Sequence, residues 1–120
     1  MNRKFNRRNL CTLVFKDLNI ISQPLGFTNN ISESGIALWV NNTKLQIKDN
    51  TFSIRLMIPE KSNIDSDINL ELQVIWSEIT LIENYIKLGC KYKNISDEQH
   101  EKLTNLLTYL DKSIYNINLA

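Results

Sequence analysis

Four separate runs between residues 36 and 92 alternate between apolar and more polar positions. Ile36, Leu38 and Val40 alternate with Ala37 and Trp39. Phe52, Ile54, Leu56 and Ile58 alternate with Ser53, Arg55 and Met57. Leu70, Leu72, Val74 and Trp76 alternate with Glu71, Gln73 and Ile75, and Ile86, Leu88, Cys90 and Tyr92 with Tyr85, Lys87, Gly89 and Lys91. Side chains of a strand point to opposite faces in turn, so a period of two predicts strands with one buried face. Leu10 to Phe15 predicts a first strand, and Leu45 with Ile47 a short one after the turn "NNT" at 41–43. Turn-forming residues separate these runs: Pro24 with Gly26, Asn41 with Asn42, Asp49 with Asn50, and the polar stretch "PEKSNIDSD".

The period changes once. After Ser96, the residues Leu103, Leu106, Leu107, Leu110 and Ile114 form an apolar stripe at helical spacing. Ser96 and Gln99 have the spacing of a capping box, and Asp97 and Glu98 sit where the helix dipole favours negative charge. Six or so short strands followed by one amphipathic helix predict a mainly β fold. The economical architecture is a small antiparallel barrel or sandwich, with the helix covering an open end or seam.

Composition adds an asymmetry of charge. With 120 residues, 42% of them apolar, the chain suits a single domain with a modest core. The net charge is only +1, yet residues 1–16 contain Arg3, Lys4, Arg7, Arg8 and Lys16 and no acid. The remainder is net acidic, so attraction for an anion is local to one end. The apolar stretch "LCTLVF" is too short for a signal-peptide core, and no run is long enough for a membrane-spanning helix. Cys11 and Cys90 make neither a metal pair nor a disulfide framework and read as buried free thiols, which favours the cytoplasm.

Nothing nominates an enzyme. His100 is the sole histidine and falls on the polar side of the predicted helix. There is no Gly-rich phosphate loop, nucleophile elbow or metal-ligand cluster. The informative residues lie in two other stretches. "RKFNR" places Arg3 and Arg7 in an RxxxR spacing ahead of the first strand, and "NISESG" places Asn30, Ser32 and Gly35 in a [D/N]xSxxG spacing. Asn and Ser hold turns through bonds to nearby backbone, so the second stretch taken alone is an ordinary polar turn, with Gly35 giving backbone freedom.

Together the two stretches resemble the PilZ domain, a bacterial receptor module for cyclic di-GMP, and the "LQVIW" and "IKLGCKY" strands and closing helix extend the resemblance over nearly the whole chain. The resemblance implies a six-stranded antiparallel barrel with a C-terminal helix. Residues 1–9 would be a flexible basic segment and residues 10–120 the barrel, with the helix at about 97–114. It implies that Arg3 and Arg7, with Arg8 beside them, clamp the nucleotide, while Asn30, Ser32 and Gly35 form the platform. Arginine suits this ligand because it forks onto phosphate, pairs with guanine O6 and N7, and stacks on base faces. No cofactor is implied, since cyclic di-GMP is a signal. The implied role is a cytoplasmic receptor, monomeric or homodimeric, that changes conformation on binding and signals to an effector protein. An alternative within the family is an interaction adaptor of pilus or motility systems that does not bind the nucleotide. Nucleic-acid binding is disfavoured, because the barrel portion is net acidic and its strands offer few aromatics for stacking. Neither a lipidation signal nor a basic amphipathic helix points to a membrane surface.

Overall fold

The computed structural model describes residues 7–16, 23–45 and 47–119, with side chains of the last helix described as far as residue 112. The elements in order are β1 (Arg8–Asn9), β2 (Leu13–Phe15), β3 (Gly26–Ile31), β4 (Gly35–Asn41), β5 (Thr51–Leu56), β6 (Ile68–Ile79), β7 (Tyr85–Asn94) and α1 (Asp97–Leu119). Strands β2, β5, β6, β7, β4 and β3 pair antiparallel in that order, and β3 pairs back to β2. This is a closed six-stranded barrel. The short β1 continues the line of β2 along the same edge of β3.

Alternation maps directly onto the barrel wall. Phe52, Ile54 and Leu56 of β5 and Ile68, Leu70 and Leu72 of β6 are buried, while Ser53 and Asn69 face solvent. Val14, Ile31, Leu38, Val40 and Leu88 complete the interior. Leu103, Leu106, Leu107 and Leu110 of α1 join the same core, so the helical stripe seals the barrel as its spacing predicts. Ser96 caps α1, its Oγ accepting the Gln99 N–H at 3.2 Å. The capping box is only half formed, because the Gln99 side chain accepts the Asn69 N–H of β6 at 2.8 Å. That bond fastens the start of the helix to the barrel.

Three local expectations change. Of the strand expected over Leu10–Phe15 only Leu13–Phe15 forms, as β2, with β1 lying just ahead of it, and the pairing of β3 with β4 shifts register between Thr28 and Asn30. The cause is Thr28, 1% exposed, whose hydroxyl donates to the Leu10 carbonyl and accepts the Thr12 N–H at 2.9 Å. A side chain thus satisfies the backbone groups that the interrupted ladder leaves open. Second, β3 was hidden by its polar sequence, "GFTNNI", which reads as a turn. Third, Leu45 and Ile47 belong to no strand. Asn41 Oδ1 accepts the Thr43 N–H and hydroxyl, turning the chain there, and Lys48 and Thr51 bridge across left-handed Asp49 and Asn50. Two further expectations change: the helix runs on to Leu119, beyond the expected limit near 114, and Cys11, expected to be buried, is exposed. Among the described residues no helix is long and apolar enough to cross a membrane.

Candidate functional site

One stretch of the barrel exterior is hollow, and β3, β4, β7 and β6 lie side by side across it. Register places Asn30 of β3 opposite Ala37 of β4, Ala37 opposite Gly89 of β7, and Gly89 opposite Trp76 of β6. The smallest side chains therefore occupy the middle of the row, with a polar side chain at one end and an indole at the other. The Trp76 ring lies over Gly89, where an added Cβ would sit 2.1 Å from the indole. Glycine there gives the ring a flat seat. A bulge between Val74 and Trp76 sets this aim, since it adds a residue and turns Trp76 to face Gly89. The result is a cleft of about 300 Å³ lined by Arg7, Asn30, Ser32, Ser34, Gly35, Ile75, Trp76 and Lys91, among others.

Its polar rim is built from both sequence motifs. Arg7 precedes β1, whose pairing with β3 sets Asn9 opposite Asn30. From there the exposed Arg7 reaches across, and its Nη1 donates to Asn30 Oδ1 at 3.1 Å. The loop between β3 and β4 is tight: Ser32 N–H donates to the Gly35 carbonyl at 2.9 Å, and Ser34 N–H to Ser32 Oγ at 3.3 Å. Tyr92 secures this loop from below, its hydroxyl donating to the carbonyls of Ser32 and Gly35 at 2.9 and 3.1 Å. Burial, with the nearby Glu33 charge adding to it, pushes the Tyr92 phenol well above its ordinary value, so it stays a donor. Burial likewise pushes the Cys90 thiol up to about 12, which keeps it neutral beneath the cleft.

Gly35 matters for space rather than for backbone freedom. No glycine among the described residues has positive φ, but a Cβ on Gly35 would lie 2.3 Å from the Cys90 carbonyl oxygen. The glycine lets β4 pass close to β7 at the rim of the cleft.

Arg8 faces away from the cleft. It is 8% exposed, with Nη1 donating to Glu33 Oε1 at 2.7 Å, Nε to Asp111 Oδ1 at 2.9 Å and Nη2 to Asp111 Oδ2 at 3.1 Å. Those bonds hold the guanidinium charged and keep the Asp111 carboxyl below its ordinary range. Arg8 thus ties β1 and the β3–β4 loop to α1, and Arg8 and Asn9 are strand residues rather than part of a free basic segment. Of the six residues marked by the sequence, Arg7, Asn30, Ser32 and Gly35 come together in the cleft and Arg8 lies behind them. Arg3 lies outside the described residues. The alternating pattern gave no warning of Trp76, Ser34, Ile75 or Lys91. The available signal was Gly89, a lone glycine inside a strand, which marks close approach by another group. Among the described residues no cluster of His, Cys, Asp and Glu could hold a metal.

The described residues thus form a closed barrel with a capping helix and an exterior cleft that carries Arg7 on its rim. The family model of the PilZ domain matches residues 2–109, and the chain belongs to that family. Comparison with curated proteins gives no match. Among solved structures, the fold is similar to the PilZ domain with c-di-GMP of YcgR from Escherichia coli, with a TM-score of 0.68 at 14% identity, covering 98% of each chain. It is also similar to the Bacillus subtilis inhibitor of motility (MotI/DgrA), with a TM-score of 0.68 at 20% identity over 97% of this chain. The K. pneumonia MrkH–c-di-GMP complex gives a TM-score of 0.69 at 21% identity over 97% of this chain. The chain spans about half the length of the last two, 52% and 55% respectively.

Proposed function

We propose that this domain is a receptor for cyclic di-GMP and acts by binding rather than catalysis. The observation that carries the reading is the Arg7–Asn30 bond, which unites the two motifs, distant in sequence, on the rim of one cleft. The solved PilZ structures of YcgR and MrkH, which contain c-di-GMP, support the choice of ligand.

The chemistry of the rim fits a molecule with two phosphates and two guanines. Arg7 offers a guanidinium already turned towards the cleft, able to fork onto a phosphate or a guanine edge. Its bond to Asn30 holds it there before ligand arrives, which lowers the ordering cost of binding. Asn30 presents both an acceptor and donors, and the Ser32 and Ser34 hydroxyls add short polar groups at the same rim. Arg3, four residues upstream, supplies the second arm of the clamp in this reading. Binding then changes the conformation of the rim, and the cytoplasmic domain passes that change to an effector protein.

Isothermal titration with cyclic di-GMP beside GTP and cyclic GMP tests the proposal. A saturable heat with cyclic di-GMP, absent or far weaker with the two mononucleotides, is expected. No heat with cyclic di-GMP overturns it and favours an adaptor role.

A further inference from the structure

Arg7 and Lys91 are the charged side chains that line the cleft, and among the described residues no acid lines it. The chain beyond residue 16 is net acidic, so an acid-free hollow with two cations departs from its surroundings. A concave surface with charge of one sign draws the opposite charge to it. Arg7 belongs to the first motif and is bonded to Asn30 of the second. Lys91 belongs to neither. It is exposed, and among the described residues no carboxylate lies within salt-bridge distance of it.

Register fixes where Lys91 stands. It is opposite Gly35 of β4 on one side and Gln73 of β6 on the other, so neither neighbour in its row is charged. Directly opposed residues share a face of the sheet, and Gly35 has no side chain to lay over the lysine stem. A Cβ there would lie 3.5 Å from the Lys91 Cα. Lys87, on the same strand and face, is engaged differently. It stands opposite Glu78, with its Nζ 6.0 Å from the rings of both Trp39 and Trp76. Arg7 reaches the cleft over Asn30 of β3, whereas Lys91 rises from β7 with β4 between them, two strand spacings or roughly 10 Å away.

We infer, resting on the cyclic di-GMP reading above, that Lys91 is a further ligand-binding residue whose ammonium neutralises the phosphate turned away from the Arg3–Arg7 clamp. Lysine suits that task rather than a base edge. Its ammonium is a compact charge with three donors on a flexible stem, and it lacks the planar fork that pairs with guanine. The cleft then favours a ligand with two separated phosphates, one at each cation.

Calorimetric titration with cyclic di-GMP at ~0.1 M and ~1 M salt tests this, because the screening length falls about threefold between them. Lys91→Met keeps an apolar stem and removes the charge, and at the lower salt it should weaken binding by about tenfold or more. That deficit should shrink at the higher salt, where the parent's contact is screened. Lys91→Arg keeps the charge and should bind close to the parent. Lys93→Met removes the same charge from the next outward position of β7, outside the cleft, and should bind like the parent. Parent-like binding by Lys91→Met overturns the inference and leaves the receptor reading standing. So does a deficit that Lys93→Met shares, that salt does not reduce, or that Lys91→Arg does not relieve. No heat with the parent chain overturns both.

Discussion

The helix-covered side of the barrel and the cleft side hold their polar groups in opposite ways, and the adjacent Arg7 and Arg8 show the difference. Arg8 is sealed between a loop and a helix, with a bidentate pair to Asp111 and a further bond to Glu33. Its position is over-determined by those bonds. Arg7 is exposed and, among the described residues, bonds through its side chain to Asn30 at the rim of the cleft. The helix side buries Leu103, Leu106, Leu107 and Leu110 together with β6, so apolar contact fixes it. On the cleft side, close backbone approach at Gly35 and an indole over Gly89 shape a hollow that is open among the described residues. One region stores stability and the other leaves bonding capacity unspent. Function and folding should therefore respond to different substitutions.

The sharpest way to break that comparison is Leu106→Ala, at a fully buried position beneath the helix. Truncating a buried leucine costs ~2–5 kcal/mol, from lost transfer energy and the cavity left behind. Urea denaturation should show a loss of that size. If the unfolding midpoint moves no more than it does for Arg7→Ala, the division into a stabilising and a binding side fails.

Next in size is Gly35→Ala, which lies on the boundary between the two regions. The added methyl would meet the Cys90 carbonyl oxygen, which is backbone and cannot swing aside as a side chain could. Overpacking of this kind costs ~1–3 kcal/mol, and here it also spreads β4 from β7 at the cleft rim. Both the urea midpoint and cyclic di-GMP affinity should fall. A variant that keeps full stability would show that the approach relaxes more easily than the geometry indicates.

Arg7→Ala should separate the regions completely. Loss of a bidentate arginine contact to a guanine is worth ~1–3 kcal/mol, or roughly one to two decades in dissociation constant. The side chain is exposed and outside the core, so the unfolding midpoint should hold. Calorimetric titration and denaturation of the same sample check both halves. Parent-like affinity would remove Arg7 from the site.

How legible each region was in the sequence follows from the same physics. The apolar stripe of α1 and the alternation of β5 and β6 were plain, because burial of one face imposes a period on the residues. The resemblance to PilZ then singled out Arg3, Arg7, Arg8, Asn30, Ser32 and Gly35, of which Arg7, Asn30, Ser32 and Gly35 line the cleft. What escaped was wherever a side chain replaced a ladder or a bulge shifted the register. Thr28 bonds backbone groups of Leu10 and Thr12 between β1 and β2, so β3 carries a buried threonine where alternation would put an apolar residue. The bulge before Trp76 breaks the period of β6, and so the indole's place in the cleft could not be counted out along the strand. Arg7 and Arg8 are neighbours of the same charge, and only the fold assigns one to the cleft and the other to Asp111.

The smallest expected effect lies in that last pair, and pH reaches it. Hydrogen bonds from Arg8, reinforced by its charge, hold the Asp111 carboxyl below its ordinary range in the folded protein. In the unfolded chain it returns to an ordinary aspartate value near ~3.9. A depressed folded value means that the contribution to stability is complete above the unfolded value. It is lost as pH falls from there through the lowered one. The Asp111 side chain is 49% exposed, so solvent screens the pair and its contribution should stay below ~1 kcal/mol. Asp111→Asn removes the titration while keeping a carbonyl oxygen that can accept one bond from Arg8. Urea midpoints measured against pH for parent and variant should therefore differ by a small constant amount from pH ~7 to ~5, and the gap should close below pH ~4 as the parent's carboxylate is protonated. The same variant should bind cyclic di-GMP like the parent, because the carboxylate lies on the helix-covered side. A gap that persists unchanged into acid would mean that the pair does not contribute through charge, and a change in affinity would mean that the two regions are coupled through Arg8 and Glu33.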